Sequence, residues 1–290
     1  MITCNLMGGL GNQLFQIFAT ISHAIKCKTR LQLLNTATLG GGGCTLRYTY
    51  WNSFFSNLSL FLMDSILEPI QPIREKEFRF NELPVLYNSN IILHGYFQSY
   101  KYFQDNYDII CRFVGIKTMK EKLLAKQLMV DSKYGLENTI SLHFRIGDYK
   151  PIPHCHPIMT QEYYYKALKH IQLSSPTTHF TVLYFCEDVD VKDATEIIAY
   201  LSQEFPEFIF FRENEFIRGS GENKLADWEQ LLLMSCCRHN IIANSSFSWW
   251  GAYFNEWPDK IVCYPSLWFG PAIGHNTDDL CPPSWQRISI

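Results

Sequence analysis

No apolar run in this 290-residue sequence is long enough to cross a membrane. The longest, LSLFLMDSI from Leu58 to Ile66, is interrupted by Asp64, whereas a span needs about 20 residues. Paired cysteines are missing too: the ten cysteines are scattered with no CxxC spacing, so reduced, buried thiols are expected rather than a disulfide framework. Charge is sparse, at 18% of residues with a formal net charge of -3, which leaves no general basic face for nucleic acid or anionic membrane. Any anion site must therefore be local. There is no repeat of fixed period, no GxGxxG, no GKS or GKT phosphate loop, and no isolated DxD loop after an apolar strand. The opening MITCNL reads as a strand, without the basic and apolar regions of a secretion signal. The expectation is a cytoplasmic protein, either free or resting peripherally on the cytosolic face of a membrane.

Aromatic residues are what the sequence has in quantity, 15% of the chain, suited to a core or to stacking on flat ligands and sugar rings. After MITCNLM comes GGLGNQ, and then Leu14, Phe15, Phe18, Ile21 and Ile25 recur at helical spacing, which predicts a strand, a glycine turn and a helix. Further strands are predicted at Arg30 to Leu34 and at NIILH, Asn90 to His94, the latter followed by the aromatic string GYFQSYKYF. From residue 139 on, TISLHF, FTVLYF, FIFF, NIIA and KIVCYP read as buried strands, separated by amphipathic helices such as Gln161 to Gln172 and Ala226 to Cys237. Such alternation implies parallel sheets with right-handed crossovers. The polar stretch Asp131 to Asn138 is the best boundary, giving two Rossmann-like α/β lobes over residues 1–135 and 136–290 that face each other. Ligand is then expected in the crevice at the carboxyl ends of their strands. The glycine run Gly40 to Gly43 suits a loop over that crevice.

Three motifs carry chemistry. In GGLGNQ, Gly8 to Gln13, glycines between strand and helix let backbone approach a ligand, and the new helix offers unpaired N–H groups; the amides of Asn12 and Gln13 can donate to a hydroxyl or phosphate. A tight structural turn explains the glycines about as well. In HFRIGDY, Arg145 has the planar fork that binds phosphate oxygens bidentately, Gly147 allows a close turn, Asp148 can orient the guanidinium or accept from a hydroxyl, and His143 can hydrogen-bond a sugar or base edge. In NSSFSWWGA, Ser245, Ser246 and Ser248 stand at a helix start where they can cradle phosphate, Ser245 or Ser246 serving as cap, while Trp249 and Trp250 anchor the helix in the core. A diphosphate held between the arginine and serine motifs is the economical reading, leaving the N-terminal lobe for an acceptor.

These motifs, with GYFQSYKYF and the ending DLCPPSW, resemble the α-1,2-fucosyltransferase family, glycosyltransferase family 11, over nearly the whole chain and in the family's order. The resemblance implies a GT-B-type architecture, GDP-fucose as donor, a terminal galactoside as acceptor, and inversion at the fucose anomeric carbon. It implies that Arg145 holds the pyrophosphate, that His143 touches guanosine, and that Ser245, Ser246, Phe247 and Ser248 cradle the phosphates. Gly11, Gln13, Asp188 and Glu229 complete the expected donor-binding set. Asn12 looks like the residue nearest the reacting sugar, so Arg145, Asp148 and Asn12 are the expected catalytic residues, with Asp148 either ordering Arg145 or taking the acceptor's proton. Three departures from the family pattern stand out: Ile146 replaces a second arginine, FCED with Glu187 and Asp188 stands where FSDD is usual, and Gln230 beside Glu229 replaces an acidic residue.

With Arg145 and the serine-turn amides facing the leaving diphosphate, no metal and no cofactor are expected. Glu187, Asp188 and Asp190 read as a helix cap, and His154 and His156, flanked by prolines, as solvated or acceptor-facing rather than as a metal pair. The partners expected are a nucleotide-sugar donor and a glycan acceptor, with no nucleic acid. The alternatives are a transferase using another GDP-sugar or forming another fucosyl linkage, and a non-catalytic nucleotide-sugar or glycan-binding protein.

Overall fold

The computed structural model describes residues 1–40, 46–66, 69–127, 135–177, 179–216 and 224–290. They form two compact units, the first comprising Met1–Thr118 and His275–Pro282, the second Met119–Gly274 and Pro283–Ile290. Asp131 to Tyr134 of the polar stretch, and Gly41 to Gly43 of the glycine run, lie outside the described residues. Among the described residues no helix is long and apolar enough to cross a membrane, and none of the nine cysteines there is in a disulfide.

The first unit contains β1 (Ile2–Cys4), α1 (Leu10–Lys26), β2 (Leu33–Leu34), β3 (Thr38–Leu39), β4 (Arg47–Tyr48), β5 (Leu62–Met63), β6 (Gln71–Arg74), β7 (Ile91–His94) and α2 (Tyr107–Val114). A parallel sheet runs β1-β7-β6, β2 pairs parallel with β5, and a parallel bridge from Ile2 to Leu31 ties the two sets together. Helix α1 is anchored by Leu14, Phe15, Phe18 and Ile21, all buried, with Phe15 and Phe18 packed on Phe103. Ile25, also at helical spacing, ends up exposed in the last turn.

Helix α3 (Ile116–Gln127) leads out of the first unit. The second contains β8 (Thr139–His143), α4 (Gln161–Ser174), β9 (Thr181–Phe185), α5 (Val191–Glu204), β10 (Ile209–Arg212), α6 (Glu213–Phe216), α7 (Asp227–Cys236), β11 (His239–Ile241), α8 (Ser246–Tyr253), β12 (Val262–Pro265) and β13 (Gln286–Ile288). Its six strands are all parallel in the order β10-β9-β8-β11-β12-β13. Counted from β8, this is the 3-2-1-4-5-6 order of a Rossmann sheet. The α/β class with parallel sheets is thus the one expected from the alternating apolar and amphipathic segments. Central strands β8 and β9 are buried at every residue, as continuous apolar runs require in a sheet covered on both faces. Five strands escaped the sequence reading: β3, β4 and β5 are two residues each, too short to show a period, while β6, with Pro72, and β13, with Gln286 and Arg287, have mostly exposed or half-buried side chains at sheet edges and carry no buried-strand pattern.

Helix α4 clamps the middle of the sheet. The Tyr163 hydroxyl donates to the Ile242 carbonyl at 2.5 Å and the Tyr164 hydroxyl to the His143 carbonyl at 3.1 Å. These two carbonyls lie at the carboxyl ends of β8 and β11. The same strands are tied lower down by Asn240, whose amide donates to Ser141 Oγ at 2.7 Å.

Candidate active site

Strand order reverses between β8 and β11: the chain proceeds from β8 outward to β10, then returns to β11 and proceeds outward to β13. Loops leaving adjacent strands on opposite sides of such a point diverge, which leaves a crevice at their carboxyl ends. HFRIGDY leaves β8 and NSSFSWW leaves β11, so both expected anion motifs flank this point. They touch directly. The Tyr149 hydroxyl donates to the Asn244 carbonyl at 3.0 Å, and the rings of His143 and Phe247 lie 5.7 Å apart.

Arg145, two residues past the end of β8, has 19% of its side chain exposed. One terminal nitrogen, Nη1, donates to Glu187 Oε1 at 2.6 Å, the other, Nη2, donates to Asp148 Oδ2, and the guanidinium lies 5.7 Å from the centre of the Tyr149 ring. Burial opposes the guanidinium charge, but Asp148, Tyr149 and Glu187 outweigh it and hold the pKa above the usual arginine value. Of the two roles open to Asp148, the geometry places it on the arginine. His143, at the end of β8, is buried, and burial reinforced by the Arg145 charge lowers its pKa from 6.5 to about 3. It is a neutral imidazole whose Nδ1 has no hydrogen-bond partner, a group ready to bond a polar ligand edge. His156 stacks on Tyr149 at 4.7 Å, while His154 is exposed. Among the described residues no group of three or more His, Cys, Asp or Glu side chains is arranged to hold a metal ion.

The acidic trio after β9 does not cap helix α5, contrary to the sequence expectation; the residue at the cap position, Asp190, makes no side-chain bond to the helix start. Each carboxylate instead takes a long-range partner: Glu187 takes Arg145, Asp188 takes Arg212 at 2.6 Å together with Lys224, and Asp190 accepts the Gly147 N–H at 3.1 Å. Those ion pairs hold the Asp188 pKa below the usual carboxylate range. All three are charge-assisted bonds, made to cations by Glu187 and Asp188 and to a backbone amide by Asp190. Gly147 is required by the approach of this loop, since a Cβ there would stand 2.8 Å from Asp190 Oδ1. The three serines divide their labour. Ser245 caps α8 by accepting from the Phe247 N–H at 3.3 Å, and buried Ser248 donates to the Ser245 carbonyl at 3.4 Å. Ser246 and Phe247 are half-buried at the helix start, where the positive dipole end favours an anion. Glu229 is occupied at the start of α7, accepting the Ala226 N–H at 3.0 Å, and the neighbouring Gln230 amide donates to the Leu225 carbonyl at 3.3 Å.

In the first unit, GGLGNQ follows β1 and GYFQSYKYF follows β7, again adjacent parallel strands. Gly8 has φ +76° and an added Cβ would overlap the Asn12 amide nitrogen, so the turn that presents Asn12 needs glycine there. Asn12 Oδ1 accepts from Gln98 Nε2 at 2.9 Å. Gln13 is fully buried, its amide nitrogen spent on the carbonyls of Gly8 (3.0 Å) and Tyr48 (2.8 Å); Gly11 is buried in the first turn of α1. Gln98 and Glu75 were not singled out from the sequence. Glu75 is buried enough to raise its pKa, and it accepts the N–H groups of Tyr96 (2.7 Å) and Phe97 (3.0 Å), holding Phe97 at φ +51° beside Gln98. A left-handed phenylalanine costs energy that only such fixed partners sustain.

Comparison with known proteins gives the following. A sequence model of the family described as Glycosyl transferase family 11 matches residues 1–266. The chain is 29% identical to the O-antigen biosynthesis glycosyltransferase WbnK of Escherichia coli, with 99% of this chain and 100% of the relative covered. It is 25% identical to an α-1,2-colitosyltransferase of Escherichia coli, with 99% of each covered. Among solved structures, Arabidopsis thaliana FUT1 in complex with GDP superposes with a TM-score of 0.45 at 10% identity, covering 98% of this chain and 75% of that one.

Proposed function

The chain belongs to glycosyl transferase family 11 and is a glycosyltransferase, and from that premise we propose that it transfers L-fucose from GDP-β-L-fucose to the 2-hydroxyl of a terminal galactoside, with inversion and without a metal ion. The observation that carries the reading is the meeting of Arg145 and the α8 start at one strand-order reversal, joined by the bond from Tyr149 to Asn244. As the sugar–phosphate bond breaks, negative charge grows on the leaving diphosphate. Donors fixed in advance around it stabilise that state more than the ground state. Arg145 supplies a delocalised cation, and the N–H groups of Ser246 and its neighbours supply the helix-end dipole. Neutral His143, with its unpaired Nδ1 beside Phe247, serves the guanosine. Asp148 keeps the guanidinium in place. We assign the acceptor to the first unit, through Asn12.

A second reading is favoured by one observation, the name of the 25%-identical relative: an α-1,2-colitosyltransferase makes the same linkage with a different sugar. Ile146 and Gln230, where the family pattern has charged residues, make the donor worth testing directly. Purified protein is incubated with β-galactosides including lactose, with and without EDTA, with GDP-fucose, GDP-colitose or GDP-mannose, and products are read by mass spectrometry. A product heavier by one deoxyhexose at the galactose 2-position supports the first reading. Transfer only from GDP-colitose supports the second, and turnover abolished by EDTA overturns the metal-independent mechanism. GDP binding without transfer from any donor would point to a binding protein.

A further inference from the structure

We propose that Glu187 is an internal counter-ion that occupies the Arg145 fork in the empty site and must swing away for the donor's diphosphate to bind, which makes it a positioning residue that sets donor and GDP affinity. This rests on the reading of Arg145 as the diphosphate ligand. Both terminal nitrogens of Arg145 already hold carboxylates, Glu187 at 2.6 Å and Asp148. One positive and two negative groups sum to a local charge of -1, so an incoming diphosphate meets net repulsion and a filled fork; release of one carboxylate brings the sum to zero and frees one terminal nitrogen.

Geometry selects Glu187 as the one that leaves. Asp148 belongs to the same loop as Arg145, three residues on. Glu187 reaches across from the loop after β9, 42 positions away, and its side chain is 53% exposed. The bases of the two loops cannot part, because Asp190, 1% exposed, holds the Gly147 N–H. Asp188, next to Glu187, is gripped by Arg212 and Lys224. With the backbone pinned on both sides, release is a change of the Glu187 rotamer alone, into open solvent, which is fast. The same residue retakes Arg145 as GDP departs and so assists product release.

GDP binding measured by titration calorimetry separates this idea from the reading beneath it. Glu187→Gln is expected to bind GDP about fivefold tighter than wild type, which at about 1.4 kcal/mol per decade is roughly 1 kcal/mol, the upper range for an ion pair this exposed. Glu187→Asp, which keeps the charge but loses reach, should fall between the two. In turnover with the accepted donor, Glu187→Gln should lower the donor KM and the GDP inhibition constant together while kcat does not rise. Arg145→Ala should bind GDP weakly, and adding Glu187→Gln to it should restore nothing. If Arg145→Ala loses GDP while Glu187→Gln binds it no tighter than wild type, the counter-ion role is overturned and the diphosphate site stands. If Arg145→Ala binds GDP as wild type does, the diphosphate site itself is misplaced and the counter-ion role falls with it.

Discussion

Replacing His143 with glutamine should make the second unit less sensitive to acid, by an amount that follows from burial of the imidazole. In the folded protein its pKa is lowered to about 3, against 6.5 in the open chain. Above pH 6.5 both states are neutral and the residue contributes no pH dependence. Below it, the unfolded chain takes up a proton that the folded one refuses, so stability is lost as pH falls, at up to about 1.4 kcal/mol per pH unit. Between roughly pH 7 and pH 5 the loss attributable to His143 works out to about 2 kcal/mol. Buried His23 and His239, whose pKa values burial also lowers to about 4, titrate alike in wild type and variant and cancel in the difference. Denaturant unfolding followed by tryptophan fluorescence reads this unit well, because Trp51 alone of the seven tryptophans lies in the first one. Wild type should lose about 2 kcal/mol more than His143→Gln over that interval. Equal losses would mean that His143 is protonated in the folded state, and a neutral imidazole serving guanosine would have to be abandoned.

Arg145→Ala should reduce kcat/KM by at least about a hundredfold, the usual cost of one preorganised charge donor, and Arg145→Lys should not fully rescue it because the two-nitrogen fork is lost; near wild-type rates in both would move the diphosphate elsewhere. Gly8→Ala forces a side chain into a φ of +76° and against the Asn12 amide. It should depress turnover with little change in GDP affinity, as measured by steady-state kinetics beside calorimetry, and equal loss of both would show that Asn12 serves the nucleotide. Trp249→Ala removes a fully buried indole stacked on Tyr253 at 4.6 Å, for an expected loss of about 3–5 kcal/mol in denaturant unfolding; a loss under about 1 kcal/mol would show that α8 is not anchored through it.

Legibility in the sequence followed the physics of each element. FTVLYF could be read because a central parallel strand is buried on both faces and so contains little but apolar residues, and TISLHF because Ile140, Leu142 and Phe144 alternate in it. Edge strand β6, exposed and holding Pro72, meets no such demand. HFRIGDY and NSSFSWW were visible because charged and hydroxyl groups bunched directly after apolar runs have no role in packing. The acidic trio was misread as a helix cap because a sequence displays only near neighbours. Its true partners, Arg145, Gly147, Arg212 and Lys224, stand 42, 43, 24 and 36 positions away.

The sequence by itself determined the α/β class and the places where strands end in polar and charged groups, since both depend on local composition and period. Only the tertiary structure decided which groups are free to act. Folding put Glu187 on the Arg145 guanidinium, held the Gly147 N–H on Asp190, and brought the Tyr149 hydroxyl to the Asn244 carbonyl. Such assignments depend on distances between residues far apart in the chain, and those distances exist only once the strand order 3-2-1-4-5-6 has set β8 beside β9 and β11.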